Sequence, residues 1–430
     1  MTIQNYDNLG LDTLCAQAGW NPKNGESRIT PIVQSTTYEY EHTDDVADLF
    51  ALKAAGHFYA RISSPTVEVL EKKIAALEGG IGAIALGAGQ TATIFSILGL
   101  AQSGDEIVAS SNIYGGTFTL LKSRLPMFGI TPHFVPVNDL DAVEAAINDK
   151  TRALFAETLS NPGVEVLDIE AYAELAHQHG IPLIVDNTFA TPALCRPIDF
   201  GADIIVDSTT KYLDGHATSV GGAIVDSGRF DWAAHHYLPL TEPDPNYHGL
   251  SYTETFGQAA YLTRIRVGLV RDFGGLQSPF NAFLTNLGTE TLGLRMERHS
   301  QNALAVAQYL ETQEDVEWVR YPGLDSDPYH ELAQKYLPKG SSGVIAFSIK
   351  GGAERVKTWI DSLQLTSLVV HVGDLRTYVL HPASMTHSQL TEEELKAAGI
   401  EPGQIRFSVG IENVEDILKD LKQAFQKLHD

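Results

Sequence analysis

One lysine stands in an unusual setting. Lys211 lies in "DSTTKYLDGHATSVGG" (Asp207 to Gly222), between the apolar run Ala202–Val206 and a glycine-rich exit. No acidic residue follows it until Asp214. An amine that reacts must be partly desolvated or close to another cation, and free of a carboxylate that would hold its proton. Lys211 meets those conditions. Asp186 closes "PLIVDN", a run too apolar to leave a carboxylate there without a partner. Taken alone, it reads equally well as a turn or helix-cap aspartate. The third feature is "GAGQTA" (Gly87 to Ala92), a G-x-G-x-x-A pattern between a strand and a helix. The dinucleotide fingerprint wants an acidic residue after the next strand, but Asp105 and Glu106 precede that strand and Ser110-Ser111 follow it. The same glycines would let a backbone approach phosphate, with helix amides favouring the anion. A plain tight turn is the bland alternative.

Lysine, aspartate and glycine-rich loop form one constellation when taken together. A Schiff-base lysine, a carboxylate for a pyridinium nitrogen and an anion cradle are the protein side of pyridoxal phosphate chemistry.

Positioning such groups requires a particular kind of scaffold. Short apolar runs ("GAIAL", "EIVAS", "PHFVPV", "RALFAET", "IPLIVDN", "ADIIVDS", "GGAIV") alternate with helical patterns. That alternation predicts an open, mostly parallel α/β sheet with helices on both faces. Ligands bind such sheets at the carboxyl ends of the strands. Those ends carry Gly87 to Gln90, Asn161, Asp186 and Ser208 to Lys211. Helical periodicity runs from Thr66 to a stop at Gly79-Gly80, in Asp44 to Ala55, and from Ala92 to Leu100. Beyond about residue 290 a long amphipathic helix, Leu292 to Thr312, introduces a smaller α+β C-terminal domain. The proline- and aromatic-rich stretch Arg229 to Tyr261 predicts a long ordered loop.

Composition removes several classes of function. A chain of 430 residues, 43% hydrophobic and 20% charged, has the length for two domains and a sizeable core. Its net charge of −24 argues against nucleic acid as a partner, and any anion site must build its own positive field. Two cysteines, Cys15 and Cys195, give no disulfide framework and fit a reducing compartment. The opening residues carry no basic start or apolar segment, and no run reaches the length of a membrane span, so a cytoplasmic location is expected. The histidines, among them His235-His236 and His381 to His387, have no metal-ligand spacing, and no metal is expected.

"STTKYLDGH" resembles the cofactor-lysine motif of the Cys/Met-metabolism family of pyridoxal-phosphate enzymes, and the likeness runs nearly end to end. The resemblance implies a fold-type-I transferase with pyridoxal 5'-phosphate on Lys211. In "YARISSPT", Tyr59 and Arg61 resemble residues that reach the cofactor phosphate of a neighbouring subunit. It further implies Gly89 and Gln90 as phosphate amides, Ser208 and Thr210 as phosphate hydroxyls, and Tyr114 of "YGGT" stacked on the ring. Asn161 would sit near the 3-hydroxyl and the substrate, and Asp186 at the ring nitrogen. Arg406 of "IRFSVGIE" would take the substrate α-carboxylate, with Ser384 of "HPAS" nearby; Tyr59 and Tyr114 would assist Lys211 in proton transfer. Residues 1–60 would form an arm to a neighbour, 61–287 the cofactor domain and 288–430 the C-terminal domain. A homotetramer built from dimers with shared active sites is implied.

Within the family, "YHGLSYTETFGQAAYL", "HPASMTHSQLTEEELKAAGI", Gln90 and Gly116 resemble the O-acetylhomoserine sulfhydrylase branch. Gly116 stands where the methionine gamma-lyases have cysteine. The implied reaction joins O-acetyl-L-homoserine and sulfide into L-homocysteine and acetate. Other members of the family, the gamma-lyases and cystathionine gamma-synthase, are the alternatives, with a nicotinamide oxidoreductase or a non-catalytic binding module further off.

Overall fold

Apolar runs bounded by polar turns become strands in the computed structural model, which describes residues 6, 8–386, 388, 391, 393, 395 and 399–429. The first five residues, Asp7, His387 and parts of 389–398 lie outside the described residues, so those portions of the leader, histidine and "SQLTEEELKAAGI" readings do too. The larger sheet contains β1 (Gly82–Leu86), β2 (Glu106–Ser110), β3 (Thr131–Val135), β4 (Thr151–Glu157), β5 (Leu183–Asp186), β6 (Ile204–Asp207) and β7 (Gly222–Asp226). Its order is β1-β7-β6-β5-β4-β2-β3, with the pairs from β6 through β3 parallel and β7 antiparallel to both neighbours.

Strand pleat explains why these runs lack polar alternation. Leu183 and Val185 of β5 and Ile205 of β6 enter one apolar layer, whereas Ile184, Ile204 and Val206 enter the other. Both faces are covered, so successive residues must both be apolar. Polar residues can then appear only where a strand ends. That rule puts Asp186 and Asp207 at the same edge.

The predicted helix from Thr66 runs as Pro65–Glu78, with proline in its first turn and Gly79 stopping it at φ +80°, a left-handed conformation natural to glycine. The helix expected from Ala92 begins three residues earlier, as Gly89–Leu98. Arg229 to Tyr261 is not one long loop. It holds the short helices Leu238–Thr241 and Tyr252–Phe256, and Phe230, Trp232, Tyr237 and Tyr261 are buried in the second apolar layer. Trp232 stacks on Tyr261 with ring centroids 5.3 Å apart. Aromatic burial, which composition alone presents as loop-like, fixes this segment to the sheet.

The smaller sheet runs β10-β11-β12-β9-β8: β8 is Val316–Arg320, β9 Val344–Ile349, β10 Ser367–Leu368, β11 Tyr378–Leu380 and β12 Gln404–Ser408. The helix Leu292–Glu311 serves two cores. Leu292 and Met296 join the larger sheet's layer, while Ala303, Val306, Ala307 and Leu310 join the smaller sheet's. This helix and β12 bring the smaller sheet over the carboxyl ends of β4 to β6. No described helix is long and apolar enough to cross a membrane.

Candidate active site

A cavity of about 260 Å³ lies at those strand ends. Its lining includes Gly89, Gln90, Tyr114, Asn161, Asp186, Ser208, Thr210, Lys211 and Arg406. Nine residues singled out in sequence thus meet in one place.

The turn after β6 presents Lys211. Its amide donates to the Ser208 carbonyl, and the amide of Gly215 donates to the Lys211 carbonyl. Asp214, the nearest carboxylate in sequence, is already engaged: it accepts from the amides of His216 and Thr218 and from the Thr218 hydroxyl. Lys211 is therefore left without it. Burial pushes the amine down to about 8, and the charge of Arg406 pushes the same way. Lys211 Nζ lies 3.2 Å from His371 Nδ1.

Asp186 ends β5 and accepts from the Thr188 amide at 3.0 Å. Burial raises its carboxyl above the usual range, and a cationic partner arriving in the cavity would draw it back down by favouring the carboxylate. Directly across the ladder, Glu157 of β4 pairs in register with Asp186. Burial, reinforced by Asp186, holds Glu157 well above its ordinary value. It accepts the Tyr114 amide at 2.7 Å and so fixes the backbone that carries the tyrosine ring.

At the other end of the cavity the helix Gly89–Leu98 begins against Ser208. A Cβ on Gly89 would lie 2.7 Å from the Ser208 Cβ, so this approach requires glycine. The amides of Gly89 and Gln90 precede the helix's first backbone bonds, which Thr91 and Ala92 make to the Ala88 carbonyl, and such leading amides favour an anion. Thr210 Oγ1 holds its turn by accepting from the Gly221 amide and donating to the Gly221 carbonyl. A Cβ on Gly116 would lie 2.5 Å from the Tyr114 ring, so a side chain here would force that ring to move.

Arg406, on β12, is 5% exposed. It donates to Asn161 Oδ1 at 3.1 Å and to the His371 carbonyl at 3.2 Å. Neither Arg406 nor Lys211 has a carboxylate partner among the described residues. Burial pushes the guanidinium down to about 10. Such a desolvated cation is costly unless an anion arrives.

Three of the selected residues stand elsewhere. Tyr59 and Arg61 are exposed and pack on each other, guanidinium 5.1 Å from the ring centroid, away from this chain's own cavity. Ser384 is exposed, with its hydroxyl 2.8 Å from His381 Nδ1; Thr386 lines the cavity in its place. The second nitrogen of His381 meets the Pro402 carbonyl, so that histidine is satisfied by the fold.

Sequence reasoning missed Glu157 and His371. Glu157 was findable, because it ends a strand by the same rule that selected Asp186. Behind this floor, Thr158 donates to Asn187, and Asn187 donates to Glu78. Burial raises both Glu78, to about 8, and the adjoining carboxyl of Asp207. Charge is disfavoured for both in this buried setting.

The family model for the Cys/Met metabolism PLP-dependent enzymes matches residues 12–426. This chain belongs to that family. An O-acetyl-L-homoserine sulfhydrylase of Leptospira meyeri is 46% identical to it, covering 98% of each chain. A homocysteine synthase of Schizosaccharomyces pombe is 46% identical over 97% of this chain and 98% of its own. A Campylobacter jejuni crystal structure, provisionally assigned as an O-acetylhomoserine (thiol)-lyase and carrying N'-pyridoxyl-lysine-5'-monophosphate, superposes with a TM-score of 0.95. It is 40% identical and covers 97% of this chain and 100% of its own. Family membership sets aside the dinucleotide reading of "GAGQTA". The cofactor of a Cys/Met metabolism enzyme is pyridoxal phosphate, and the residues present fit it: a carboxylate-free lysine, a raised aspartate and a glycine-lined helix start surround one cavity.

Proposed function

We propose that this enzyme catalyses γ-replacement, converting O-acetyl-L-homoserine and sulfide to L-homocysteine and acetate. One observation carries the reading: Lys211 and Arg406, both without carboxylate partners among the described residues, share a cavity with Asp186. The full-length similarity to a sulfhydrylase supports the choice of reaction. Lys211 would hold the cofactor covalently and Asp186 its ring nitrogen. Gly89, Gln90, Ser208 and Thr210 would hold its phosphate, with Tyr114 against the ring and Asn161 near the 3-hydroxyl. Bound pyridoxal phosphate supplies an electron sink.

The chain's own groups do the rest. Arg406 clamps the substrate carboxylate and so fixes Cα near Lys211. The displaced Lys211 amine takes the Cα proton and later moves a proton at Cβ, as acetate leaves Cγ and sulfide adds. Leu159, Phe189, Val220 and Val372 give the cavity apolar walls, which limit water while the nucleophile arrives. The Tyr114 ring next to Gly116 supports replacement over the lyase arrangement, in which a cysteine would crowd it. Given O-acetylhomoserine and sulfide, the protein should yield homocysteine well in excess of 2-oxobutanoate. With methionine alone it should release little methanethiol. Dominant ketoacid formation in the presence of sulfide would move the assignment to the gamma-lyases.

We further propose that a neighbouring copy completes the site, within a homotetramer in the cytoplasm. Tyr59 and Arg61 are cofactor-phosphate candidates that do not line their own chain's cavity; buried free Cys15 and Cys195 suit a reducing compartment. Mixing Arg61→Ala with Lys211→Ala subunits should restore part of the activity, because a hybrid pair contains one intact site. Confirmed hybrids with no regained activity would rule sharing out.

A further inference from the structure

Among the described residues, His371 is the one histidine whose ring meets the reactive lysine. Its Nδ1 lies 3.2 Å from Lys211 Nζ, and its Nε2 is buried with no partner among the described residues. This contact is built into the backbone. Gly373 adopts φ +78°, and a Cβ there would lie 2.7 Å from the Tyr212 amide nitrogen and 3.1 Å from the Lys211 carbonyl carbon. Only glycine lets residues 371–373 lie so close to the lysine turn. The Gly373 amide donates to Ser408 Oγ, and Arg406 donates to the His371 carbonyl, so β12 holds the segment from the other side.

We propose that His371 positions the Lys211 amine, its Nδ1 accepting one N–H of Nζ so that the nitrogen lone pair is aimed into the cavity. An ammonium has only donors, so the ring nitrogen that faces it must accept, which leaves the ring hydrogen on Nε2. The groups around the ring agree with an uncharged imidazole. Burial and the charges of Lys211 and Arg406 push it down, to about 4, against the opposing carboxylates of Asp374 and Asp214; Tyr378 offers only its ring, 6.0 Å away. After Lys211 gives up a proton, the remaining bond to Nδ1 stops the amine rotating away from the substrate's Cα. The hydrogen bond also favours the ammonium, keeping a desolvated lysine basic enough to take that proton.

This inference rests on Lys211 being the cofactor lysine, and the experiment separates the two. Full-length wild type, His371→Leu and His371→Asn are freed of cofactor, and labelling of Lys211 by an amine reagent is followed against pH with peptide mass mapping. The leucine variant should shift the Lys211 midpoint down by about one unit. Asparagine, whose Oδ1 can accept, should restore it to within about 0.3 units of wild type. In the loaded protein, exchange of the Cα hydrogen of L-norleucine, which has no leaving group at Cγ, should fall about tenfold or more in the leucine variant and recover with asparagine. His371→Val is the second apolar variant should leucine prevent folding. An unchanged midpoint in the apolar variant overturns the role of His371. Absence of a borohydride-reduced adduct on Lys211 in loaded wild type overturns the cofactor assignment instead.

Discussion

Lys211→Ala should abolish turnover, by about 10⁴-fold or more, while leaving the fold at least as stable as before. Two roles disappear together, because the same nitrogen would hold the cofactor and move the proton. Burial accounts for why this amine can do both. At its ordinary value of 10.5, few molecules would carry a free amine at neutral pH; at about 8 the free-base fraction rises roughly 300-fold. The charge of Arg406 works in the same direction, and Asp214 is engaged with its own turn, so no carboxylate among the described residues restores the proton's hold. Such a poised group costs stability, since its cation is desolvated without a carboxylate in return. Removing it relieves that cost, as is common where activity and stability compete. Steady-state rates, borohydride trapping and a thermal melt together check the expectation. Wild-type turnover in the alanine variant would sink the assignment.

Sequence made the floor of this site legible for a physical reason. Strands buried on both faces leave their ends as the sole place for polar side chains, so Asn161, Asp186 and Lys211 stood out against apolar runs. Gly89 was legible for the same kind of reason, since a helix start can close on Ser208 only without a Cβ. The roof was harder to read. His371 lies 160 residues from Lys211, in an apolar stretch with no polar pattern of its own, and Gly373 brings the two together. Nothing in the local sequence says that the glycine faces the lysine turn. Ser384 shows the converse limit: it belongs to a recognisable motif, yet its hydroxyl is beside His381 and Thr386 faces the cavity. The segment Arg229–Tyr261 was read as loop because proline and short elements obscure periodicity, whereas its aromatic side chains are core.

Arg406→Ala should lower kcat/KM for O-acetylhomoserine by about 10²–10³-fold, chiefly by raising KM. The guanidinium carries five N–H donors, and the bonds to Asn161 Oδ1 and the His371 carbonyl occupy two of its nitrogens only in part. The remaining donors form the planar fork that a carboxylate matches. A lysine at this position has three donors on one atom and could not keep both existing bonds and a bidentate clamp. Arg406→Lys should therefore recover only part of the loss. Because the carboxylate is bound before and during reaction, the clamp acts on both states alike, and KM rather than kcat should carry most of the change. The substrate's carboxamide provides the control. Replacing carboxylate by amide should cost the wild type about as much as the alanine substitution does, and should cost the alanine variant little more. Full additivity of the two losses would show that Arg406 binds something other than the carboxylate, because groups that touch cannot lose the same interaction twice.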